Sequence, residues 1–373
     1  MIARLKLAIG RAMDGLYPKS RLRLPRRLHE TLAEHPLTVA DVGAAMGPDA
    51  RWQVLGEKEV RFIVFEPDAR SRDEPLLKDD ARCLMFPTAL GDRAGTQTLH
   101  LTRAPFASSL YPHNSELLRS FVVWPWHEPA GDTTVQVDTL DNCIKQRPDW
   151  QPDFLKIDTE GADLDVLLGA GGVIDHLLGL QVEVSFQQRH LGAPFFADID
   201  IYLRERGFVL HYLNREHWLR SNFPLAANIR PQLIWADAVY FPSWQRIVER
   251  LSQPSPVVVL TKLVVLLLAY GAHDFAQEIV LRATNEGLID ENDGAQLKAA
   301  IAASLIGNAG NLLRGAAASL LAASVFVATL PFGGRAREAG RQLLCRQTAP
   351  LFAQLSRESS RVGPSGGCLA DPE

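Results

Sequence analysis

The stretch that most constrains the fold of this chain covers residues 154–163 and reads FLKIDTEGAD. Its first residues are apolar at alternating positions, which predicts a buried strand. Asp158 and Glu160 follow directly, and the apolar spacing becomes helical over residues 164–170. In open α/β sheets, ligands bind at the carboxyl ends of the strands, where these carboxylates are predicted to lie. The alternative is that Asp158 or Asp163 only caps the helix.

Composition limits the class of protein. The 373 residues are 47% hydrophobic and 22% charged, which is typical of a globular chain of about two domains. The net charge of -4 argues against general nucleic-acid binding. The cysteines form no C-x-x-C pair, which favours free thiols in a reducing compartment. No secretory signal is evident at the start of the sequence, so we expect a cytoplasmic protein.

A second predicted strand ends near residue 41. The segment 37–47 is apolar up to Asp41 and then carries Gly43 and Gly47. Glycines let the backbone turn tightly and approach a ligand closely. The spacing is not Gly-x-Gly-x-x-Gly, which speaks against a nicotinamide dinucleotide site and hence against an oxidoreductase.

A third predicted strand, residues 60–67, places Glu66 at its carboxyl end. A carboxylate in that position can accept hydrogen bonds from both ribose hydroxyls of a nucleoside. The alternative is an exposed glutamate at a strand end with no ligand.

These segments together resemble the FkbM-type methyltransferases, which use S-adenosylmethionine. Residues 156–163 are similar to the family signature Lys-Ile-Asp-x-Glu-Gly-Ala-Glu, with Asp163 in place of the last glutamate. Residues 41–47 are similar to motif I of class I methyltransferases, with Ala45 where the family has asparagine. The resemblance spans about residues 37–242. It implies an α/β fold with a Rossmann-like class I methyltransferase sheet, mostly parallel with an antiparallel last strand, and an α-helical C-terminal appendage.

The resemblance also implies S-adenosyl-L-methionine as the cofactor. The residues expected to bind it are Asp41, Gly43, Gly47, Glu66, Asp92, Asp158 and Glu160. The glycines are expected at the methionine end and Glu66 at the ribose. Asp92 could meet the adenine amine, or it could simply form a turn.

Three residues are predicted as catalytic. Glu183 is the best candidate for a carboxylate that faces the acceptor, because burying a glutamate without purpose costs several kcal/mol. His190, just beyond that strand, is a candidate general base, although a lone histidine is often structural. Asp158 is the third. No metal site is assigned, and the sequence leaves open whether two carboxylates bind a divalent cation.

The chain divides into four predicted regions. They are a basic N-terminal helical segment over residues 1–36, the methyltransferase domain over 37–245, a helical C-terminal region over 246–355 and a disordered tail over 356–373. The basic segment either packs on the domain or lies on an anionic membrane.

Several shorter segments have open interpretations. Residues 257–270 are apolar but too short to span a bilayer, and residues 315–334 predict a buried helix rather than a transmembrane one. Residues 103–131 are rich in aromatic residues and predict either a substrate loop or a small satellite core. Residues 96–101 alternate and predict an added edge strand.

The predicted function is S-adenosylmethionine-dependent O-methylation of a hydroxyl on a sugar, glycolipid or secondary metabolite. The expected partner is a small-molecule or glycan acceptor and not a nucleic acid, and the basic N-terminus could add peripheral membrane contact. The alternative is a non-catalytic methyltransferase-like domain that binds a membrane or a partner, which the Ala45 departure favours.

Overall fold

The computed structural model describes residues 22, 24–45, 47–71, 80–222 and 231–305. The strands are β1 (Leu37–Val42), β2 (Val60–Phe65), β3 (Cys83–Phe86), β4 (Ala89–Leu90), β5 (Gly95–Thr102), β6 (Pro129–Asp138), β7 (Phe154–Ile157), β8 (Gly179–Ser185), β9 (Phe208–Trp218) and β10 (Gln232–Pro242). The predictions for residues 1–21, 315–334 and 356–373 lie outside the described residues.

The helices alternate with the strands through the first part of the chain and follow one another after β10. They are α1 (Arg26–Glu34), α2 (Ser115–Leu118), α3 (Trp124–His127), α4 (Leu140–Lys145), α5 (Asp163–Leu168), α6 (Phe196–Glu205), α7 (Trp244–Leu251), α8 (Pro256–Ala269) and α9 (His273–Asn285). Residues 291–305 are also helical.

Seven strands form one sheet in the order β3-β2-β1-β7-β8-β10-β9. Neighbouring strands are parallel except at β10, which runs antiparallel to both β8 and β9. The structure therefore confirms the predicted class, a mostly parallel α/β sheet whose last strand is antiparallel. β1 is buried at every position because helices cover both faces of the sheet.

Each face of the sheet has its own hydrophobic core. Successive side chains on a strand point to opposite faces. Phe154 accordingly packs in a cluster with residues of α1, α7, α8 and α9, whereas Leu155 packs with residues of α4, α5 and α6. The strand ends, and with them the predicted site residues, are thereby held between two packed layers.

Helix α8 lies inside the first of these cores. All six residues from Leu263 to Leu268 are buried, and Lys262 Nζ lies 2.8 Å from Asp153 Oδ2. The described part of the region beyond residue 246 thus shares a core with the sheet. No helix among the described residues is long and apolar enough to cross a membrane.

The edge strand predicted over residues 96–101 forms, and it belongs to a second sheet of three strands in the order β4-β6-β5. These residues do not extend the main sheet, because β5 pairs antiparallel with β6 over most of its length. β5 and β6 flank residues 103–128, which make up most of the aromatic segment 103–131. The small sheet therefore places that segment near the strand ends of the main sheet. Alternation alone predicted the strand but not its partner.

Candidate active site

A cleft of about 530 Å³ opens at the carboxyl ends of β1, β2 and β7. Three groups of residues line the cleft. The first comes from the ends of β1, β2 and β7 and the loops that follow them. The second is Thr88 with β4, and the third is Leu99 of β5 with the start of the aromatic segment. The lining residues are Val42, Gly43, Ala45, Phe65, Glu66, Pro67, Asp68, Thr88, Ala89, Leu90, Leu99, Pro105, Phe106, Ser108, Ser109, Leu110, Asp158 and Thr159.

Gly43 forms the floor between two strand ends. Its φ is +83°, and a Cβ atom built there would lie 2.0 Å from the carbonyl oxygen of Asp158. Its N–H donates to the carbonyl of Phe65 at 3.0 Å. Only glycine allows the β1 loop to touch the β7 loop this closely, so this glycine sets the depth of the cleft.

Glu66 presents a fixed carboxylate to the cleft. The residue is 4% exposed, and its Oε1 accepts a hydrogen bond from the backbone N–H of Asp68 at 2.7 Å. Arg70 binds the Asp68 carboxylate and also donates to Ser108 Oγ at 3.0 Å. The end of β2 is therefore tied to the aromatic segment across the cleft.

Lys156 holds two of the predicted site carboxylates. Its Nζ lies 3.1 Å from Asp41 Oδ1 and 3.4 Å from Asp158 Oδ2. Burial lowers the pKa of Lys156, but Asp41 and Asp158 more than offset this effect and leave that pKa above its usual value. Burial also raises the pKa of Asp41, whose Oδ2 is buried and has no hydrogen-bond partner in the described part of the chain. The charge of Lys156 keeps Asp158 in place at the cleft.

The loop after β7 has an unusual backbone. Glu160 has φ of +54°, a conformation that costs a residue other than glycine about 1–3 kcal/mol. Asp163 stabilises the turn, because its two carboxylate oxygens accept hydrogen bonds from the N–H groups of Thr159 and Gly161, each at 3.1 Å. Asp163 thus holds the loop that precedes α5 rather than only capping that helix.

Arg189 binds a carboxylate of the loop after β7. It is 1% exposed, and its Nη1 lies 2.8 Å from Glu160 Oε2 while its Nη2 binds the carboxylate of Glu183. Its Nε donates to Ser185 Oγ at 3.2 Å. Burial raises the pKa of Glu160 to about 7 and also raises the pKa of Glu183, and Arg189 opposes both shifts. We call Glu160, Glu183 and Arg189 the buried ion cluster.

Comparison with known proteins assigns the region around this cleft. Residues 41–210 match the family model described as the methyltransferase FkbM domain. These residues belong to the FkbM methyltransferase family. The match begins at Asp41 and ends in β9, so the FkbM domain contains the cleft, the buried ion cluster and the aromatic segment. The cleft therefore lies within a region that matches a methyltransferase family.

Two further proteins are similar to this chain. The 2-O-methyltransferase NoeI of Sinorhizobium fredii is 23% identical over 190 residues, which are 49% of this chain and 78% of NoeI. The crystal structure of PH1948 from Pyrococcus horikoshii, a candidate RNA methyltransferase, is 14% identical. That match covers 65% of this chain and 99% of PH1948, with a TM-score of 0.26.

The FkbM domain brings only some of the predicted cofactor residues to the cleft. Gly43, Glu66 and Asp158 line it. Asp41 lies behind it in the pair with Lys156, and Glu160 turns its carboxylate to Arg189. Two further residues are not among the lining residues: Gly47, and Asp92, which lies on an exposed turn.

Two of the predicted catalytic residues are buried away from the cleft lining. The carboxylate of Glu183 is bound by Arg189. His190 is 1% exposed, and neither ring nitrogen has a hydrogen-bond partner among the described residues. Burial, followed by the charge of Arg189, lowers the pKa of His190 well below its usual value. Their catalytic roles remain predictions from the sequence, whereas the third residue, Asp158, does reach the cleft.

The aromatic segment 103–131 contributes to the cleft lining and also forms a small core, while its role as a substrate loop stays a prediction. Pro105 and Phe106 line the cleft. Phe121 instead packs with Leu118 and Trp218 in a small core of its own. The segment is thus both a wall of the cleft and a satellite core.

Sequence reasoning missed Lys156 as an ion-pair partner and missed Arg189 altogether. Both side chains reach carboxylates on other elements of the fold, so local spacing carries no signal for them. A buried strand interrupted by one lysine was the signal that could have pointed to Lys156, because a buried charge needs a partner.

Asp237 on β10 makes the folded protein less stable as the pH rises through the weakly acidic range. Burial and the nearby Asp158 raise its pKa to about 6, above the unfolded value of about 3.9. The folded state therefore holds the proton more tightly, and this contribution is fully present below about pH 4 and lost as the pH rises through about 6. Asp237→Asn should reduce the fall in unfolding free energy over this range, as measured by urea unfolding. Asp175→Asn, at a side chain 69% exposed, is the control and should keep the wild-type slope.

Proposed function

We propose that the cleft binds S-adenosylmethionine and that the domain methylates a hydroxyl group of a sugar, glycolipid or secondary metabolite. The observation that carries this proposal is the placement of Gly43 and Glu66 at adjacent strand ends in one cleft. Membership of residues 41–210 in the FkbM family supports the cofactor. The name of NoeI, a 2-O-methyltransferase, supports oxygen as the atom that is methylated.

The residues present fit a nucleoside with a cationic amino-acid end. The Glu66 carboxylate can accept from two ribose hydroxyls. The carboxylates of Glu66, Asp68 and Asp158 line the cleft, and this negative lining suits a ligand with a cationic end. Ala45 lines the cleft without a polar group of its own. When bound, S-adenosylmethionine supplies the electrophilic methyl group, and the protein supplies position and charge.

Asp158 is the residue that we assign as the general base. It lines the cleft, and its side chain is 37% exposed, so an acceptor hydroxyl can reach it. Lys156 fixes the carboxylate at the end of β7. In this proposal, Asp158 accepts the proton that the acceptor hydroxyl loses as its oxygen becomes methylated.

Glu66→Gln should weaken binding of S-adenosylhomocysteine at least about tenfold, because hydrogen bonds to a charged acceptor contribute about 1.5–3 kcal/mol. Glutamine keeps one oxygen for the N–H of Asp68, so the local turn should survive. Isothermal titration calorimetry measures the change. Glu205→Gln, on an exposed position of α6, is the matched control and should bind as the wild type does. Unchanged affinity in Glu66→Gln would remove Glu66 from the cofactor site.

A further inference from the structure

Two aromatic rings form an exposed corner at the cleft. Phe106 lines the cleft and is 45% exposed, and Trp126 beside it is 36% exposed. Their ring centroids are 6.2 Å apart and their planes make an angle of 67°. Large aromatic surfaces left open beside a pocket mark binding surfaces. We call this pair the aromatic corner.

Backbone hydrogen bonds hold the aromatic corner in shape. The N–H of Ala104 donates to the carbonyl of Trp126 at 3.1 Å, and the N–H of Arg103 donates to the carbonyl of Glu128 at 2.8 Å. The hydroxyl of Thr102 donates to the carbonyl of Ala104 at 2.6 Å. The chain entering the segment and the chain leaving it are thus joined by hydrogen bonds next to the rings. A surface fixed before the ligand arrives loses little entropy on binding.

The charge of the cleft restricts what can occupy the corner. Glu66, Asp68 and Asp158 line the cleft, and no lysine, arginine or histidine is among the described lining residues. Arg70 and Lys156 offset two of these carboxylates from behind, but neither cation faces the cleft as a lining group. An anionic acceptor would therefore meet repulsion without a compensating partner.

We propose that the aromatic corner is the acceptor subsite and that it binds one face of an uncharged pyranose ring; this inference rests on the proposed function of the cleft. The negative face of an aromatic ring attracts the polarised C–H groups on the apolar face of a sugar. The two rings pack edge to face and both stay partly exposed, so together they offer one apolar surface to that face of the sugar. The hydroxyls on the opposite side of the sugar remain free to meet Ser108 and Asp158, which line the same cleft.

Saturation-transfer NMR tests this subsite directly. The probes are the methyl glycosides of glucose, galactose, mannose, fucose and N-acetylglucosamine at about 10 mM, each with and without S-adenosylhomocysteine. Methyl galacturonoside is the charged counterpart of the galactose probe. We expect saturation transfer to the ring C–H protons of at least one neutral probe, and at least about fivefold weaker binding of a carboxylate-bearing analogue.

Phe106→Leu and Trp126→Leu should each weaken the binding of that probe at least about fivefold while leaving the affinity for S-adenosylhomocysteine unchanged. Phe195→Leu is the matched control, since Phe195 is 39% exposed and does not line the cleft. The subsite is wrong if no neutral glycoside binds or if both corner variants bind it as the wild type does. If the wild type does not bind S-adenosylhomocysteine, the proposed function is wrong. The glycoside spectra recorded without S-adenosylhomocysteine still test the aromatic corner in that case.

Discussion

Arg189→Met should lower the unfolding free energy by about 3–5 kcal/mol at pH 8, the usual effect of removing one partner from a buried ion pair. Arg189 is 1% exposed and is the cation that faces both Glu160 and Glu183. Without it, two carboxylates are left buried. The loss should be smaller at pH 5 than at pH 8, because the carboxylates can then be neutralised by protonation. Urea unfolding at the two pH values measures both effects.

Two further variants separate charge from packing. Adding Glu183→Gln to Arg189→Met should restore part of the stability at pH 8, since one uncompensated charge is removed. Arg26→Met breaks an exposed pair with Glu30 and should leave the unfolding midpoint unchanged. A loss below about 1 kcal/mol for Arg189→Met would show that the buried ion cluster does not hold the β7 loop.

Gly43→Ala should abolish binding of S-adenosylhomocysteine and destabilise the domain. The new Cβ would lie 2.0 Å from the carbonyl oxygen of Asp158, so the β1 and β7 loops must move apart. The positive φ adds about 1–2 kcal/mol, and the overpacking adds about 1–3 kcal/mol. Calorimetry of ligand binding and urea unfolding measure the two consequences on the same preparation.

Gly95→Ala is the control for this substitution. A Cβ at Gly95 meets no atom within 4 Å, so both the affinity and the stability should stay close to wild type. If Gly43→Ala bound the ligand with wild-type affinity, the close approach of the two loops would not form the cofactor site.

The sequence predicted the sheet and the carboxylates at its carboxyl edge well, for a physical reason. Parallel strands buried on both faces are continuous apolar runs, and their carboxyl ends must share one edge of the sheet. Asp41, Glu66 and Asp158 each follow or end such a run. Their meeting at one edge therefore follows from local pattern and topology alone.

The surroundings of Glu183 and His190 could not be predicted from the sequence, because they depend on contacts between distant segments. Glu183 was expected to face the acceptor, but Arg189, six residues further along the chain, turns back and binds it. His190 is enclosed by the same turn. The partner of β5 could not be read from its alternation, since an exposed strand fits the edge of a large sheet and a separate small sheet equally well.

The measurement that tests the central claim most directly is calorimetric titration of S-adenosylhomocysteine and, separately, of a nicotinamide dinucleotide into the wild-type protein. We expect saturable binding of S-adenosylhomocysteine at micromolar concentration and no heat from the dinucleotide. Absence of S-adenosylhomocysteine binding up to high micromolar concentration, or binding of the dinucleotide in its place, would contradict this claim.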